Sequence, residues 1–567
     1  MFRRICERSF GFALVVGVLG CSEGEIRDPR PMGSSGNAGT AGGGTQGGSG
    51  GLDVPLPTGT DPATLLPARI RRLTNAEYDA SVGVLAPPAT PRDKTPAAGF
   101  APDTRQSGFT VNDAQRVDPV VAKQLAQAAE AIAADVRLRV NEFAPCADMA
   151  AAEGCAIEFI EAFGAKAYRR PLDAAEREGL LRVYRAGIEE AAYADGIELV
   201  VSALLQSAGF LYLTELGGGS AGGVVALTPY ELASSISYLF TAGPPDAALL
   251  GKALAGELAT PEGREAAVWD ILTLSPVARD RVVRVVTEWL GIDRIDETAK
   301  DSLVYPEYAD LQPAMQAESL GFITAVLAES TRSVGELLSA DWTKLRDADA
   351  GLAGLYDVAG TGRVGLAGRR GILNRAAFLS VYAHAHESAP VLRGVAVARR
   401  VACLDVPSPT TQNIVVVAPP PDETKTTRER FAAHSTDARC ISCHQRIDPF
   451  GFSFEQFDGM GNTRPEGKDN GKLVDSQVTI ALGADFDGSY ADSNALAVAL
   501  GQSASVRECF ARHAFRASAG RSDAAVSASE AKFLAFWSSL PAEKQGDILE
   551  TLVAFVRSPL FAHRRSE

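Results

Sequence analysis

Beyond its first twenty residues the chain has no apolar run long enough to cross a bilayer, which argues against a multi-span membrane protein. No block of Lys and Arg follows that start. With 55 basic against 70 acidic residues the formal charge is −15, which argues against nucleic-acid binding. A phosphate-cradling P-loop, a dinucleotide fingerprint and a nucleophile elbow are all missing, so the common nucleotide-dependent and acyl-transfer chemistries have no motif to rest on. Strand-like runs are scarce: residues 414–417, ahead of three prolines, and 478–482. Histidine (6), methionine (5) and cysteine (8) are few in 567 residues, so metal chemistry must come from a short list of positions.

Two of those cysteines stand in Cys440-Ile441-Ser442-Cys443-His444. This is the C-x-x-C-H string by which a haem is attached to a polypeptide: the thiols add across the vinyl groups and the histidine ligates the iron. On one helical turn the spacing sets both sulfurs along a porphyrin edge. With so few Cys and His, chance would produce the string roughly once in a thousand such chains. One covalent haem c is therefore expected. Phe450, Phe452, Phe454 and Phe457 follow closely and are expected to wall the haem. Arg464 is a candidate partner for a haem propionate, while Asp448 and Asp458 read as turn-makers. A zinc site from Cys440, Cys443, Cys509 and His513 has the right residue types, but its two pairs are far apart. Asp485, Asp487 and Asp492 hint at a calcium loop without its closing Glu, and read as a turn.

The N-terminus predicts export. Arg3, Arg4 and Arg8 precede an apolar run over residues 10–19, the pattern of a signal peptide. It ends in Val18-Leu19-Gly20-Cys21, which resembles a bacterial lipobox, so Cys21 is the expected lipidation site. Ser22 stands where an inner-membrane retention signal would have Asp, which makes an outer-membrane lipoprotein the expectation. Residues 33–51 are almost entirely small and polar, and the chain between Cys21 and Asp61 gives a tether with a reach of roughly 35 Å. Removing Cys6, Cys21, Cys440 and Cys443 from the count leaves Cys146, Cys155, Cys403 and Cys509. In an oxidising compartment these are expected to pair as Cys146–Cys155 and Cys403–Cys509.

The body is expected to be mainly α-helical and multidomain. Helix starts are marked by Thr74 with Glu77, Asp173 with Glu176, Thr228-Pro229 with Glu231, Thr260-Pro261 and Ser275-Pro276. Apolar stripes follow at Leu232, Ile236, Leu239 and Phe240, and again at Leu549, Leu552, Val553 and Val556, where Ser558-Pro559 stops the helix.

Several segments resemble a family of multidomain exported proteins common in planctomycetes and myxobacteria. Arg72-Leu73-Thr74-Asn75-Ala76-Glu77-Tyr78, then Ala167-Tyr168-Arg169-Arg170-Pro171-Leu172, then Leu227-Thr228-Pro229-Tyr230-Glu231-Leu232-Ala233 are similar to three helical domains of unknown function. Gly371-Ile372-Leu373, Pro390-Val391-Leu392-Arg393-Gly394, His434 and Cys440 through Gly461 resemble the planctomycete-type cytochrome C domain. Asp487-Gly488 and Gly520-Arg521 resemble the helical domain that closes such chains. After the expected signal peptide (1–20) and linker (21–62), the resemblance implies helical domains at 63–140, 141–217 and 224–360, a haem domain at 364–466 and a closing helical domain at 470–567. His434 matches the family's histidine and is favoured as the sixth iron ligand over Met460. His384, His386 and His513 are outside candidates, and an open iron position is also allowed.

The expected function is electron transfer at the cell envelope, with a redox protein as partner, no nucleic acid, and membrane contact only through the lipid. A haem oxidoreductase with an open iron site, and a non-redox surface-binding or scaffold protein, are the alternatives. No catalytic residue is identified.

Overall fold

The computed structural model describes residues 60–566, apart from 92, 190, 219, 408–418, 421, 433–439 and 522. The expected signal peptide, Cys21 and the linker as far as residue 59, the expected strand at 414–417, and His434 lie outside the described residues. The described chain is mainly helical with a few small sheets. No described helix is long and apolar enough to cross a membrane.

Helices begin where the capping residues stand. Thr74 opens α1 (Asn75–Leu85): its hydroxyl accepts the Glu77 N–H at 3.2 Å, and Glu77 Oε2 accepts the Thr74 N–H at 2.9 Å. With α2 (Pro119–Leu138), α3 (Ala152–Tyr168), α4 (Ala174–Gly187) and α5 (Tyr193–Gln206), α1 closes one apolar core. Tyr78, Leu125, Ile132, Phe163, Tyr184 and Leu204 are among its members. Asp173 and Glu176 make the same reciprocal cap at the start of α4. A disulfide joins Cys146 to Cys155 at the start of α3.

A second, larger core takes residues from Leu65 to Ala562. It is built on α6 (Pro229–Thr241), α7 (Pro261–Leu274), α8 (Pro276–Leu290), α9 (Tyr308–Glu329), α10 (Pro390–Ala396), α11 (Ile441–Phe452), α12 (Ala504–Ala519) and α13 (Ile548–Arg557). Proline occupies the first turn of α6, α7 and α8, where its missing N–H costs nothing. Gly291 ends α8 at φ 71°, and a Cβ there would stand 2.3 Å from the Tyr382 hydroxyl. The stretches 224–360, 364–466 and 470–567 thus contribute to a shared core.

The strands fasten distant parts of the chain. Strand β1 (Arg69–Arg72) pairs antiparallel with β2 (Tyr212–Glu215), Arg69 opposite Glu215. Strand β3 (Val224–Ala226) pairs with β4 (His563–Arg565), and Pro67 bridges to Arg565, so the beginning and end of the described body are side by side. Alternation gives β1 no signal, since three of its four residues are arginines. They are held by acids instead: Arg69 by Glu215 (2.8 Å), Arg71 by Glu77 (2.7 Å) and Arg72 by Asp103 (3.1 Å), all nearly buried. The strand expected at 478–482 runs over Val478–Ile480 and pairs with Gly488–Tyr490. The Asp487 carboxylate turns the chain there by accepting the N–H groups of Leu482 and Gly483.

Candidate functional site

Cys440 caps the start of α11, and the N–H groups of Cys443 and His444 donate to its carbonyl at 3.1 and 3.0 Å. The motif is therefore one helical turn, with both thiols and the imidazole on neighbouring positions of a partly exposed face. Neither thiol is in a disulfide. His444 Nδ1 is 2.8 Å from Asp448 Oδ1, one turn further along the helix. An ionised carboxylate only accepts, so in the neutral imidazole the proton sits on Nδ1 and the lone pair on Nε2. This arrangement orients a histidine for a metal and makes it a stronger donor. Asp448, read from the sequence as a turn-maker, is instead the residue that orients His444. Its signal was the four-residue helical spacing.

The motif helix is seated by close backbone contact. At Gly394 in α10, a Cβ would lie 2.3 Å from the Ile447 carbonyl oxygen; at Gly451 in α11, one would lie 2.0 Å from that of Pro390. Pro449 sits inside α11, and Arg393 ties down the chain beyond it. Fully buried, Arg393 donates to the carbonyls of Leu379, Phe454, Phe457 and Asp458 at 3.1, 3.4, 3.2 and 2.5 Å. Burial pushes the Glu455 carboxyl upward, while Arg464 and Arg393 pull it back. Asp458 is the turn-maker it was expected to be: its Oδ1 accepts the N–H groups of Met460, Gly461 and Asn462.

Other sequence candidates fall elsewhere. Phe450, Phe454 and Phe457 are in the large core, and Phe452 packs with Phe431 and Val478. The rings expected to wall the haem are thus packed among other apolar side chains of the chain. Met460 is 1% exposed in a cluster with Tyr305, Met315 and Ala376 that holds no residue of α11. Arg464 donates to the Glu455 carbonyl (2.8 Å), Asp469 (2.9 Å) and Ser388 (2.9 Å), so its guanidinium is engaged within the protein and speaks against the propionate contact. Cys509 is joined to Cys403, which removes it from any zinc set with Cys440 and Cys443. His513 lies beside that disulfide, between Phe109 and Trp289; burial, then Arg516, pushes its pKa down to about 3. His384 is half-buried and held below its ordinary pKa by burial, and His386 is exposed. Asp485 and Asp492, read from the sequence as part of a turn, accept N–H groups at the starts of two helices.

The donor set fits a covalent haem: two unbridged thiols and an imidazole with one free nitrogen, on a single turn. A separate cavity of about 480 Å³, lined by Arg105, Asp280, Asp293, Asp296 and Glu297 among others, includes none of these residues.

Four family models match the chain, each described as a protein of unknown function. They are PSD3 (DUF1587) at residues 71–137, PSD5 (DUF1595) at 155–215, PSD4 (DUF1592) at 227–358 and PSCyt3 (DUF1588) at 369–467. All four are planctomycete cytochrome C-associated domains, and the last contains the Cys440–His444 motif. No curated protein and no solved structure matches the chain.

Proposed function

We propose that this chain is a c-type haem protein of the cell envelope that transfers electrons. One haem is held by thioethers to Cys440 and Cys443 and ligated by His444. The observation that carries the proposal is the His444–Asp448 pair at 2.8 Å, which leaves Nε2 as the ligand nitrogen beside two free thiols. When bound, the haem supplies a one-electron couple. The protein's part is to orient the imidazole, and an anionic partner on Nδ1 makes it a better donor and lowers the potential. His434 is the proposed sixth ligand. Cys21 carries the lipid, residues 33–51 give the tether, and a redox protein is the partner. Membrane contact is through the lipid alone, and the destination is the outer membrane.

The test is expression with a c-type maturation system. Denatured protein should retain haem, Cys440→Ala with Cys443→Ala should lose it, and Asp448→Asn should raise the reduction potential. Denatured wild type without haem refutes the assignment. Fatty-acid label should mark wild type and not Cys21→Ala.

Met460 packs in a cluster that holds no residue of α11, which favours His434 over Met460 as the sixth ligand. A haem oxidoreductase with an open iron position would bind carbon monoxide readily when reduced, whereas the carrier with His434 on the iron would not.

A further inference from the structure

The two strand pairs that join the chain's distant parts bring four arginines and one acid together around a small cavity. Arg69, Arg71, Arg521 and Arg564 line it, with Glu215 as the only carboxylate. Arg71 is already neutralised by two bonds to Glu77, each 2.7 Å. The remaining three guanidinium groups share Glu215, at 2.8 Å from Arg69, 2.7 Å from Arg521 and 2.6 Å from Arg564. Three buried cations and one buried anion leave an excess of two positive charges, and buried charge without a counter-ion is strongly disfavoured.

Two polar atoms at the same place have no hydrogen-bond partner among the described residues. Arg521 is 2% exposed and its Nε has no hydrogen-bond partner; Ser518 Oγ is buried and has none. Both residues line the cavity, whose volume is about 30 Å³. That is room for a monatomic ion or a water and too little for a phosphate or a carboxylic acid. Burial and the neighbouring Arg69 hold Arg521 well below its ordinary pKa, as expected of a cation short of an anion.

We propose that this cavity is a site for a small monovalent anion of the halide class, physiologically chloride, held by Arg521 Nε, Ser518 Oγ and the field of Arg69 and Arg564. The ion would lock β1, β2, the end of α12 and β4 to one another. It is independent of the haem motif, so neither proposal depends on the other.

The experiment is thermal unfolding of the full chain in 1–100 mM sodium chloride, with sodium gluconate making up constant sodium. Gluconate is far larger than the cavity. The unfolding temperature should climb with the logarithm of chloride once the site fills. Ser518→Ala, which removes a hydroxyl and no charge, should unfold at the wild-type temperature in gluconate. It should need about tenfold more chloride for the same rise, the effect of one hydrogen bond to an ion. Crystals grown in bromide should show anomalous scattering beside Arg521 Nε. An unfolding temperature indifferent to chloride, a Ser518→Ala response identical to wild type, or a cavity holding only water in bromide would each overturn the proposal.

Discussion

Replacing Glu215 by Gln should be among the most damaging isosteric changes available in this protein. The side chain is 9% exposed and carries three guanidinium contacts of 2.6 to 2.8 Å. Burial alone would raise its pKa; Arg564, Arg69 and Arg521 overcome that and hold the carboxyl well below the usual carboxylate range. Gln keeps the shape and loses the charge, leaving three buried cations facing one another. Removing one partner of a single buried pair costs about 3–5 kcal/mol, and here three cations lose their anion at once, so the loss should reach about 5 kcal/mol. That is comparable to the whole stability of a small domain. Urea unfolding followed by circular dichroism reads it, with Glu176→Gln as reference. That acid pairs with Arg170, 43% exposed, and its loss should cost under about 1 kcal/mol. The pH dependence has a definite sign. Because the folded pKa is depressed, the Glu215 contribution is complete above the unfolded value of about 4.3 and disappears as pH falls through the lower folded value. The gap between wild type and variant should therefore persist at pH 5 and close only in stronger acid. A Glu215→Gln loss below about 1 kcal/mol at pH 7 would refute the account of the cluster.

His513 gives a second pH signature. Its pKa falls from 6.5 to about 3 on folding, so the unfolded chain takes up the proton first and stability declines as pH drops below 6.5. Between pH 6.5 and 4.5 the decline from this residue should be about 2–3 kcal/mol, absent in His513→Gln and measured by urea midpoints across pH. The disulfides should differ by loop length: Cys403–Cys509 closes a separation of 106 residues and Cys146–Cys155 one of 9. Paired Cys→Ser variants should lose about 5 and about 2–3 kcal/mol respectively, and equal losses in urea would contradict the chain-entropy explanation. Gly451→Ala should cost about 3 kcal/mol or more, since its Cβ would be 2.0 Å from the Pro390 carbonyl oxygen. Gly154→Ala in α3, where nothing lies within 4 Å, should be neutral or stabilising by up to about 1 kcal/mol, both changes being read from urea midpoints.

Helix starts were legible because capping is local: Thr74 with Glu77, or Thr228 with Pro229 and Glu231, needs only a few consecutive residues. The motif turn was legible for the same reason. What escaped depends on long-range pairing. Strand β1 is three arginines and an isoleucine, and its place in a sheet is decided by Glu215, 146 residues away from Arg69. The phenylalanines after the motif have an aromatic composition that suits either a cofactor wall or a core. The structure puts Phe450, Phe454 and Phe457 in the large core and Phe452 in a smaller cluster, a placement that composition alone does not give. Asp448 lay within reach of sequence reasoning, since an acid four residues after a helical histidine faces it.

The meeting of β1 with the segment around β4 also sets a timetable. Arg565 donates to the Ala63 carbonyl across 502 residues, and Arg564 reaches Glu215 across 349. At about 5–20 residues per second, a ribosome takes roughly half a minute or more to make the intervening chain. Through that interval the arginine-rich strand β1 lacks Arg521 and Arg564, two of its eventual neighbours. The large core likewise cannot complete the part that Phe561 and Ala562 share with Leu65 and Leu66. The final closure of this body therefore waits until residues 561–565 have been made and have cleared the ribosome.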